Sequence, residues 1–394
     1  MFIVVLLLQA QRRPRNVRTM QEFDFAIIGA GIAGVSAAYH LAPRAKTIIL
    51  EREHVPAYHT TGRSAALHSE TYGNADIRAI TVATGRFYRD PPQGFADHPV
   101  LTPRGAMVAG RKDQEAAMQK AAATYASLVP SVRWLEPAEA LRLQPLLKPE
   151  TAGGGAIFEP EADDMDVAAI HAGFLRGARA AGGVLRLNAE VAALDAKAGV
   201  WTIRLRDGET IRAANIVNAA GAWADVLGGL AGTKPVGLVP KRRTAFTFDA
   251  PAGAELEKMP MVIDFDESWY FKPEVGQFLA SPADETPSEP CDAQPDEMDI
   301  AIAVDRIETA TTLQIRRLKN KWAGLRSFVP DKNLVVGYDA VPGFFWLAGQ
   351  GGYGIQTGAA AGRLAASLAL DAKLPGDIVE LGVTEKALSP LRFT

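Results

Sequence analysis

One cysteine in 394 residues, Cys291, leaves this chain without the means for an internal disulfide framework or a multi-cysteine metal centre. Neither sign of charge is in excess: 42 Lys and Arg against 45 Asp and Glu give a net charge of −3, which argues against nucleic acid or an acidic membrane surface as partner. The six histidines, His40, His54, His59, His68, His98 and His171, show no HxH or HExxH spacing, and there is no GxSxG nucleophile elbow. No metal site is expected. Long apolar runs are missing as well. The one in MFIVVLLLQA is about seven or eight residues long, far short of the ~20 needed to span a bilayer. Arg12, Arg13, Arg15 and Arg18 follow that run instead of preceding it, the wrong order for a secretory signal. Residues 1–21 are therefore expected to be a disordered extension, with Met20 as a candidate start and a membrane-surface tail as the alternative. The expected location is the cytoplasm, with peripheral contact at a membrane as the variant.

Glycine, by contrast, is concentrated where it matters. In FDFAIIGAGIAGVSAAYHLAPRAKTIILERE, residues 23–53, the apolar run Phe23–Ile28 leads into Gly29, Gly31 and Gly34. A small-residue helix pattern follows, then a second apolar run, Thr47–Leu50, closed by Glu51. Gly29 allows a tight turn out of the strand, Gly31 allows backbone N–H groups to approach a pyrophosphate, and Gly34 allows close helix–strand packing. Glu51, 20 residues after Gly31, stands where a carboxylate would accept hydrogen bonds from ribose hydroxyls. The context is that of a dinucleotide site.

The length suits about two domains. Residues 59–67, HTTGRSAAL, are small and polar, as expected of backbone passing a ligand. Helix patterns occupy residues 114–127, 136–143 and 168–182, the last ending at Gly182–Gly183. A strand is expected at Val184–Leu187. A hairpin with an Asp207–Gly208 turn follows, and then a buried strand, Asn215–Asn218, ending in Ala219–Ala220–Gly221. Residues 241–282 alternate apolar and polar and suggest antiparallel strands; Ser281–Glu297, rich in Pro, Asp and Glu, reads as an exposed loop. Residues 296–320 read as helical. At the C-terminal end the opening logic returns: strand Phe344–Leu347, Gly-rich turn GQGGYG, Ala-rich helix Ile355–Leu370. Dinucleotide-type βα elements at both ends with β-rich insertions between suit FAD, a long extended ligand, better than a nicotinamide cofactor.

Three arginines could carry chemistry. Arg326 lies in the apolar frame WAGLRSF, and a buried guanidinium needs an anion. A substrate carboxylate and a structural Asp or Glu are both open as that anion. In Lys241–Arg242–Arg243 strand alternation puts Arg242 and Arg243 on opposite faces, so at most one faces a site; a solvated face is the usual fate of such a run. Tyr72 and Tyr270 stand in loop or strand settings and could face a substrate or simply fill the core. His40 and His171 fall in helix patterns as structural residues.

Taken together, GAGIAG with its terminal acid, HTTGRSAA, NAAGAWA, KRR, WAGLRSF and GQGGYGIQT resemble the D-amino-acid oxidase-like flavoproteins. The resemblance is to the FAD-dependent D-amino-acid dehydrogenases of the D-arginine dehydrogenase type, and it runs from about Asp24 to the C-terminal SPLR. It implies an α/β fold: a Rossmann-like FAD-binding domain (residues 22–85, 155–235 and 325–394) interleaved with an α+β substrate domain (86–154 and 236–324) that contains a mixed, largely antiparallel sheet. It implies that Gly29, Gly31, Ala33 and Gly34 lie by the pyrophosphate and Glu51 and Arg52 by the adenosine half. Thr60, Thr61, Gly62, Arg63, Ser64, Ala65, Ala66 and Leu67 would line the flavin and its phosphates, and Val191 would reach the adenine. Gly351, Gly352, Tyr353, Gly354, Ile355 and Gln356 would close over the isoalloxazine. Arg326 would hold a substrate carboxylate with help from Arg243 and Tyr270, Tyr72 would cover the pocket, and the Gly352 carbonyl would orient the amine.

The same resemblance exposes a departure. Where the D-arginine type has a glutamate that pairs with the substrate guanidinium, this chain has Ala106 in TPRGAMV. Losing such a partner costs a cationic substrate about 2–5 kcal/mol and an apolar one nothing. Glu70 is a substitute the sequence does not place. A second departure is Leu67, where the pattern has a histidine; the adjacent His68 should point elsewhere. The implied reaction is oxidation of a D-amino acid to a 2-oxo acid and ammonia, favouring apolar side chains. FAD is expected to be non-covalent, because Cys291 falls outside every flavin motif, and a quinone, a carrier or oxygen would take its electrons. A glycine- or sarcosine-type amine oxidase is the near alternative, and a non-catalytic flavin-binding partner subunit the distant one.

Overall fold

The computed structural model of the protein describes residues 22–393, so the extension expected over residues 1–21 lies outside the described residues. The strand Glu22–Ile28 is apolar on both faces from Phe25 onward because it lies inside a parallel sheet. It pairs in parallel with Thr47–Leu50 on one side and Thr210–Asn218 on the other. Val184–Arg186 extends the sheet beyond Thr47–Leu50, and Phe344–Ala348 extends it beyond Thr210–Asn218, both in parallel. Segments from both ends and the middle of the chain thus build one eight-stranded sheet. The separate strand expected at Asn215–Asn218 is the second half of a single strand, Thr210–Asn218. No turn residue interrupts it. Its first half pairs antiparallel with Val200–Leu205 and its last residues pair in parallel with Phe344–Ala348.

Two helices converge beside this sheet. Ile32–Leu41 and Gly358–Asp371 pack with their backbones in near contact: a Cβ on Gly362 would lie under 3 Å from the backbone of Ser36. Ala and Gly are therefore required at this crossing, and the packing brings both glycine-rich turns to one place. The C-terminal helix begins at Gly358, three residues later than its apolar pattern suggests; residues 352–357 form the turn into it.

A second sheet has nine strands. It is antiparallel except where Met261–Asp264 runs parallel to Ala106–Ala109, so it is mixed and largely antiparallel as expected. One face packs Phe246, Phe248, Phe271 and Phe278 against Ile300, Ala303 and Ile307 of the helix Glu297–Ala310. The other turns Arg243, Ala245, Met261 and Tyr270 toward a cavity between the sheets. Ala156–Glu159 belongs to this sheet, although residue 155 opens a segment assigned above to the dinucleotide part, and Leu318–Phe328 runs across the boundary drawn at 325.

The helix expected over residues 296–320 stops at Ala310. Thr311 is extended, donates through Oγ1 to the Ile307 carbonyl (2.6 Å) and accepts the Leu313 N–H (3.2 Å), which ends the helix. The chain then enters the long strand Leu318–Phe328, paired along Val239–Asp249. Among the described residues no helix is long and apolar enough to cross a membrane.

Candidate active site

The cavity encloses about 340 Å³. One part of its wall is backbone and small side chains. Gly29 takes φ +107°, and a Cβ there would collide with the Ala219 carbonyl; a Cβ on Gly34 would collide with the Gly29 carbonyl. Gly29 and Gly34 therefore shape the turn without lining the cavity, whereas Gly31 and Ala33 do line it. Thr61, buried against this turn, accepts the Ile32 N–H at 3.0 Å and locks the Thr60–Arg63 segment onto the start of the helix. Thr60 Oγ1 in turn donates to the Leu325 carbonyl (2.8 Å), tying the same segment to the second sheet. Thr60, Thr61, Arg63, Ser64, Ala65, Ala66 and Leu67 line the cavity; Gly62 does not, because it packs against the Ala57 carbonyl. From the C-terminal turn, Gly351, Gly352, Gly354, Ile355 and Gln356 line it, and Tyr353 packs behind.

Glu51, Arg52 and Val191 stand apart from the cavity wall. The Glu51 carboxylate is buried and accepts the Ala30 N–H at 2.8 Å and the Glu53 N–H at 3.0 Å. It fixes the glycine turn from behind. Arg52 lies over the Trp223 ring at 4.9 Å, and Val191 packs on the core of the first sheet. His171 is structural, donating to the Ala30 carbonyl through Nε2 (2.8 Å), and burial holds its pKa down. His68 points away from the cavity, as expected, toward the Thr81 carbonyl (3.3 Å). The bare backbone of this turn, at a helix start beside the cavity, fits the pyrophosphate of a dinucleotide; a side chain at Gly31 would meet Thr61 Oγ1 at 3.2 Å. Among the described residues no cluster of His, Cys, Asp and Glu is placed to hold a metal ion.

The other part of the wall carries charge. Arg326, 8% exposed, donates through Nη2 to the Tyr72 hydroxyl (2.7 Å) and through Nη1 to Glu285 Oε1 (3.2 Å). Its guanidinium lies 5.0 Å from the Phe328 ring centre, and Gly352 is the neighbour that leaves it room: a Cβ there would lie under 3 Å from the guanidinium. Burial works against the charge of Arg326, but Tyr72, Glu285, Tyr270 and Tyr353 outweigh it and its pKa is raised. The Tyr353 phenol is pushed up to about 12, first by burial and then by Tyr72, so it stays protonated at neutral pH. Register puts Lys241 opposite Arg326 and Arg243 opposite Gly324, hence on one face, while Arg242 turns the other way to Asp299 (2.6 Å). Arg243 lines the cavity, donates to the Asp284 carbonyl (2.8 Å) and lies 3.6 Å from Glu285. The basic run is thus not a solvated face; each of its three members has an acidic or carbonyl partner.

Glu285 was not among the expected site residues. It falls in a stretch whose composition reads as an exposed loop, but the pairing of Thr286–Pro287 with Lys241–Arg242 draws it against three cations. Burial raises its carboxyl, but Lys241, Arg326 and Arg243 overcome that and hold it below the usual carboxylate range. Cys291, in the same stretch, is exposed as expected. Tyr72, Tyr270, Arg243, Arg326 and Gly352, five residues far apart in sequence, all line one cavity. Ala106 also faces it, beside Val108, Ile157, Met261 and Ile263. Glu70 does not line it; its carboxylate accepts from Arg89 (3.1 Å).

The comparisons with known proteins bear on the family and the fold. A family model described as "DAO: FAD dependent oxidoreductase" matches residues 24–368. Among curated proteins, the L-2-hydroxyglutarate dehydrogenase of Salmonella houtenae is 30% identical over 221 residues, 54% of this chain and 51% of that one. Human mitochondrial dimethylglycine dehydrogenase is 25% identical over 385 residues, 91% of this chain and 44% of that one. The chain spans about half the length of the curated relatives it matches. Among solved structures, glycine oxidase from Geobacillus kaustophilus superposes with a TM-score of 0.78 at 21% identity, covering 92% of this chain and 99% of that one. The likeness is one of fold.

Proposed function

We propose, because this chain belongs to the DAO family of FAD-dependent oxidoreductases, that it oxidises the Cα–N bond of a D-amino acid and favours apolar side chains over D-arginine. FAD, the cofactor of this family, supplies when bound the two-electron acceptor for the hydride that leaves Cα. The residues named above as lining the glycine turns would hold it.

The observation that carries the reading is Arg326: a buried guanidinium in the cavity wall, flanked by Arg243, Tyr72, Tyr270 and Gly352. A substrate carboxylate would take the place of Glu285 on Arg326 Nη1, leaving Glu285 to Lys241. Arg243 and Tyr270 would narrow the orientations open to that carboxylate, and the Gly352 carbonyl would receive the amine. Orientation is the main work of these side chains, and it can supply a large share of rate acceleration. The amine must be neutral before hydride leaves, and its proton passes to solvent. The imino acid product then takes up water and gives a 2-oxo acid and ammonia. Ala106, Val108, Met261 and Ile263 offer an apolar wall to the substrate side chain, which supports the preference for apolar substrates, with Glu159 the acidic residue opposite Ala106 on the same face.

A panel of D- and L-amino acids, with and without an artificial electron acceptor, tests substrate class and acceptor together. Good turnover of apolar D-amino acids with poor D-arginine turnover is expected; strong D-arginine preference would refute the Ala106 reading. Arg326→Ala is expected to lower kcat/KM by about 10²–10³, mostly through KM, with FAD retained. Unchanged KM would show that Arg326 does not hold the carboxylate. An N-methylated amino acid is the second reading. It is favoured by the match to dimethylglycine dehydrogenase over 91% of this chain, and sarcosine and dimethylglycine belong in the same panel.

A further inference from the structure

Glu159 belongs to none of the sequence motifs. It ends the strand Ala156–Glu159 and lies directly opposite Ala106 in the register, so both side chains share the cavity face. It is 4% exposed, and the largest influences on its charge include no cation. A buried carboxylate without a counter-cation is costly unless hydrogen bonds replace its water. Three do. Ser69 Oγ and Thr71 Oγ1 each donate to Oε2, and the Glu70 N–H donates to Oε1, all at 2.7 Å. Burial pushes its carboxyl up, and these three bonds pull the other way.

All three donors come from one turn, and the next residue is Tyr72. The turn closes through the Tyr72 N–H to the Ser69 carbonyl (3.4 Å). Beyond it Gly73 takes φ +100°, and Asn74 accepts the Ile77 N–H (3.0 Å) to cap the helix Ala75–Arg89. The turn therefore has two anchors, the helix start on one side and Glu159 on the other. The turn engages three of about four acceptor positions on the Glu159 carboxylate.

We propose that Glu159 is a positioning residue for the substrate-carboxylate site: it fixes the turn 69–72 so that the Tyr72 hydroxyl sits on Arg326 and holds the guanidinium toward the cavity. This rests on the reading of Arg326 as the carboxylate clamp. The acid absent at Ala106 thus has a spatial neighbour whose role is to organise the clamp, acting through Tyr72 without touching substrate.

The test is a double-mutant cycle in the FAD-loaded full chain, crossing Glu159→Ala with Tyr72→Phe. Two quantities are read: KM and kcat for the best D-amino acid of the panel, and the Kd of isobutyrate, a carboxylate without an amine, from the change in flavin absorbance. Glu159→Ala is expected to raise KM and the isobutyrate Kd by about 30-fold while kcat falls less than about threefold. In the Tyr72→Phe background the same substitution is expected to change neither by more than about twofold, and Glu159→Gln is expected to recover part of the loss. Effects that multiply across the cycle, or a Kd unmoved by Glu159→Ala, would overturn the proposal. If Glu159→Ala is poorly folded, Glu159→Gln and the Ser69→Ala/Thr71→Ala pair carry the same cycle. Arg326→Ala separates the two readings. An unchanged isobutyrate Kd in that variant refutes the clamp itself; a weakened Kd there, with none in Glu159→Ala, refutes only the role of Glu159.

Discussion

The two halves of this protein are built on opposite principles. In the dinucleotide half, close backbone contacts are set by glycines: Gly34 against the Gly29 carbonyl, Gly362 against Ser36. In the substrate half, the site is an assembly of side chains delivered by a loop, a turn and three strands, and their contacts are polar and mutually dependent. The first kind of site is rigid because nothing larger than hydrogen fits. The second is held by charge and hydrogen bonds, which can be exchanged, and on the proposed function it is where a change in substrate preference is expected to spare cofactor binding.

A matched pair of substitutions tests that contrast with the largest expected effect. Gly34→Ala puts a methyl group into the Gly29 backbone, which cannot yield, and should cost about 3 kcal/mol or more. The expected outcome is protein purified with little flavin absorbance, or none. In Gly352→Ala the nearest atoms to the new Cβ belong to the guanidinium of Arg326, a side chain that can shift. It should retain flavin and raise KM instead. Flavin loss in both variants would erase the distinction between the halves.

The same contrast explains what the sequence disclosed. Gly29 and Gly34 are legible because backbone contacts restrict those positions to glycine, and Gly31 because it completes the spacing within six residues. Glu51 is legible as an acid at a given spacing, yet its observed partners are backbone N–H groups of Ala30 and Glu53, a detail that spacing does not carry. Arg326 is legible as a guanidinium in an apolar frame; alternation says that Arg242 and Arg243 face opposite ways, and only the family resemblance picks Arg243 as the inward one. Glu285 and Glu159 are not. The first sits in a Pro- and Asp-rich stretch whose composition matches a solvated loop, and only its pairing with Lys241–Arg242 draws it inward. The second gains its meaning from a strand register 53 positions away from Ala106 and from a turn 90 positions away. The helix overrun past Ala310 has the same origin: long-range pairing along Val239–Asp249 overrides local helix propensity.

A smaller effect sharpens the picture of the polar half. If Glu285 is the internal rival of a substrate carboxylate, Glu285→Gln removes its charge while keeping its shape. Lys241, Arg243 and Arg326 then present more positive potential to the substrate, and KM should fall by up to about tenfold, with a steeper dependence on ionic strength. A rise in KM would mean that Glu285 orders the three cations and does not compete for them.

The smallest effect compares the halves by titration. His40, on the first helix of the dinucleotide half, and His68, just before the turn that carries Tyr72, are both held down to about 4, in each case first by burial and then by an arginine, Arg363 and Arg89 respectively. A folded-state value below the ordinary 6.5 means that the fold favours the neutral ring. The stability this contributes is present above pH 6.5 and is lost as pH falls from there toward 4. Lowering pH from 6.5 to 5.5 should cost about 1 kcal/mol for each ring. The carboxyls of Glu159, Asp163 and Asp284, all pushed up by burial, work in the opposite sense. Thermal melting across this window should therefore show a modest fall in Tm. In His68→Gln that fall should be shallower, because an amide can still donate to the Thr81 carbonyl but has no proton to gain. An unchanged slope in His68→Gln would place the acid sensitivity at the other buried histidines, His40 and His171.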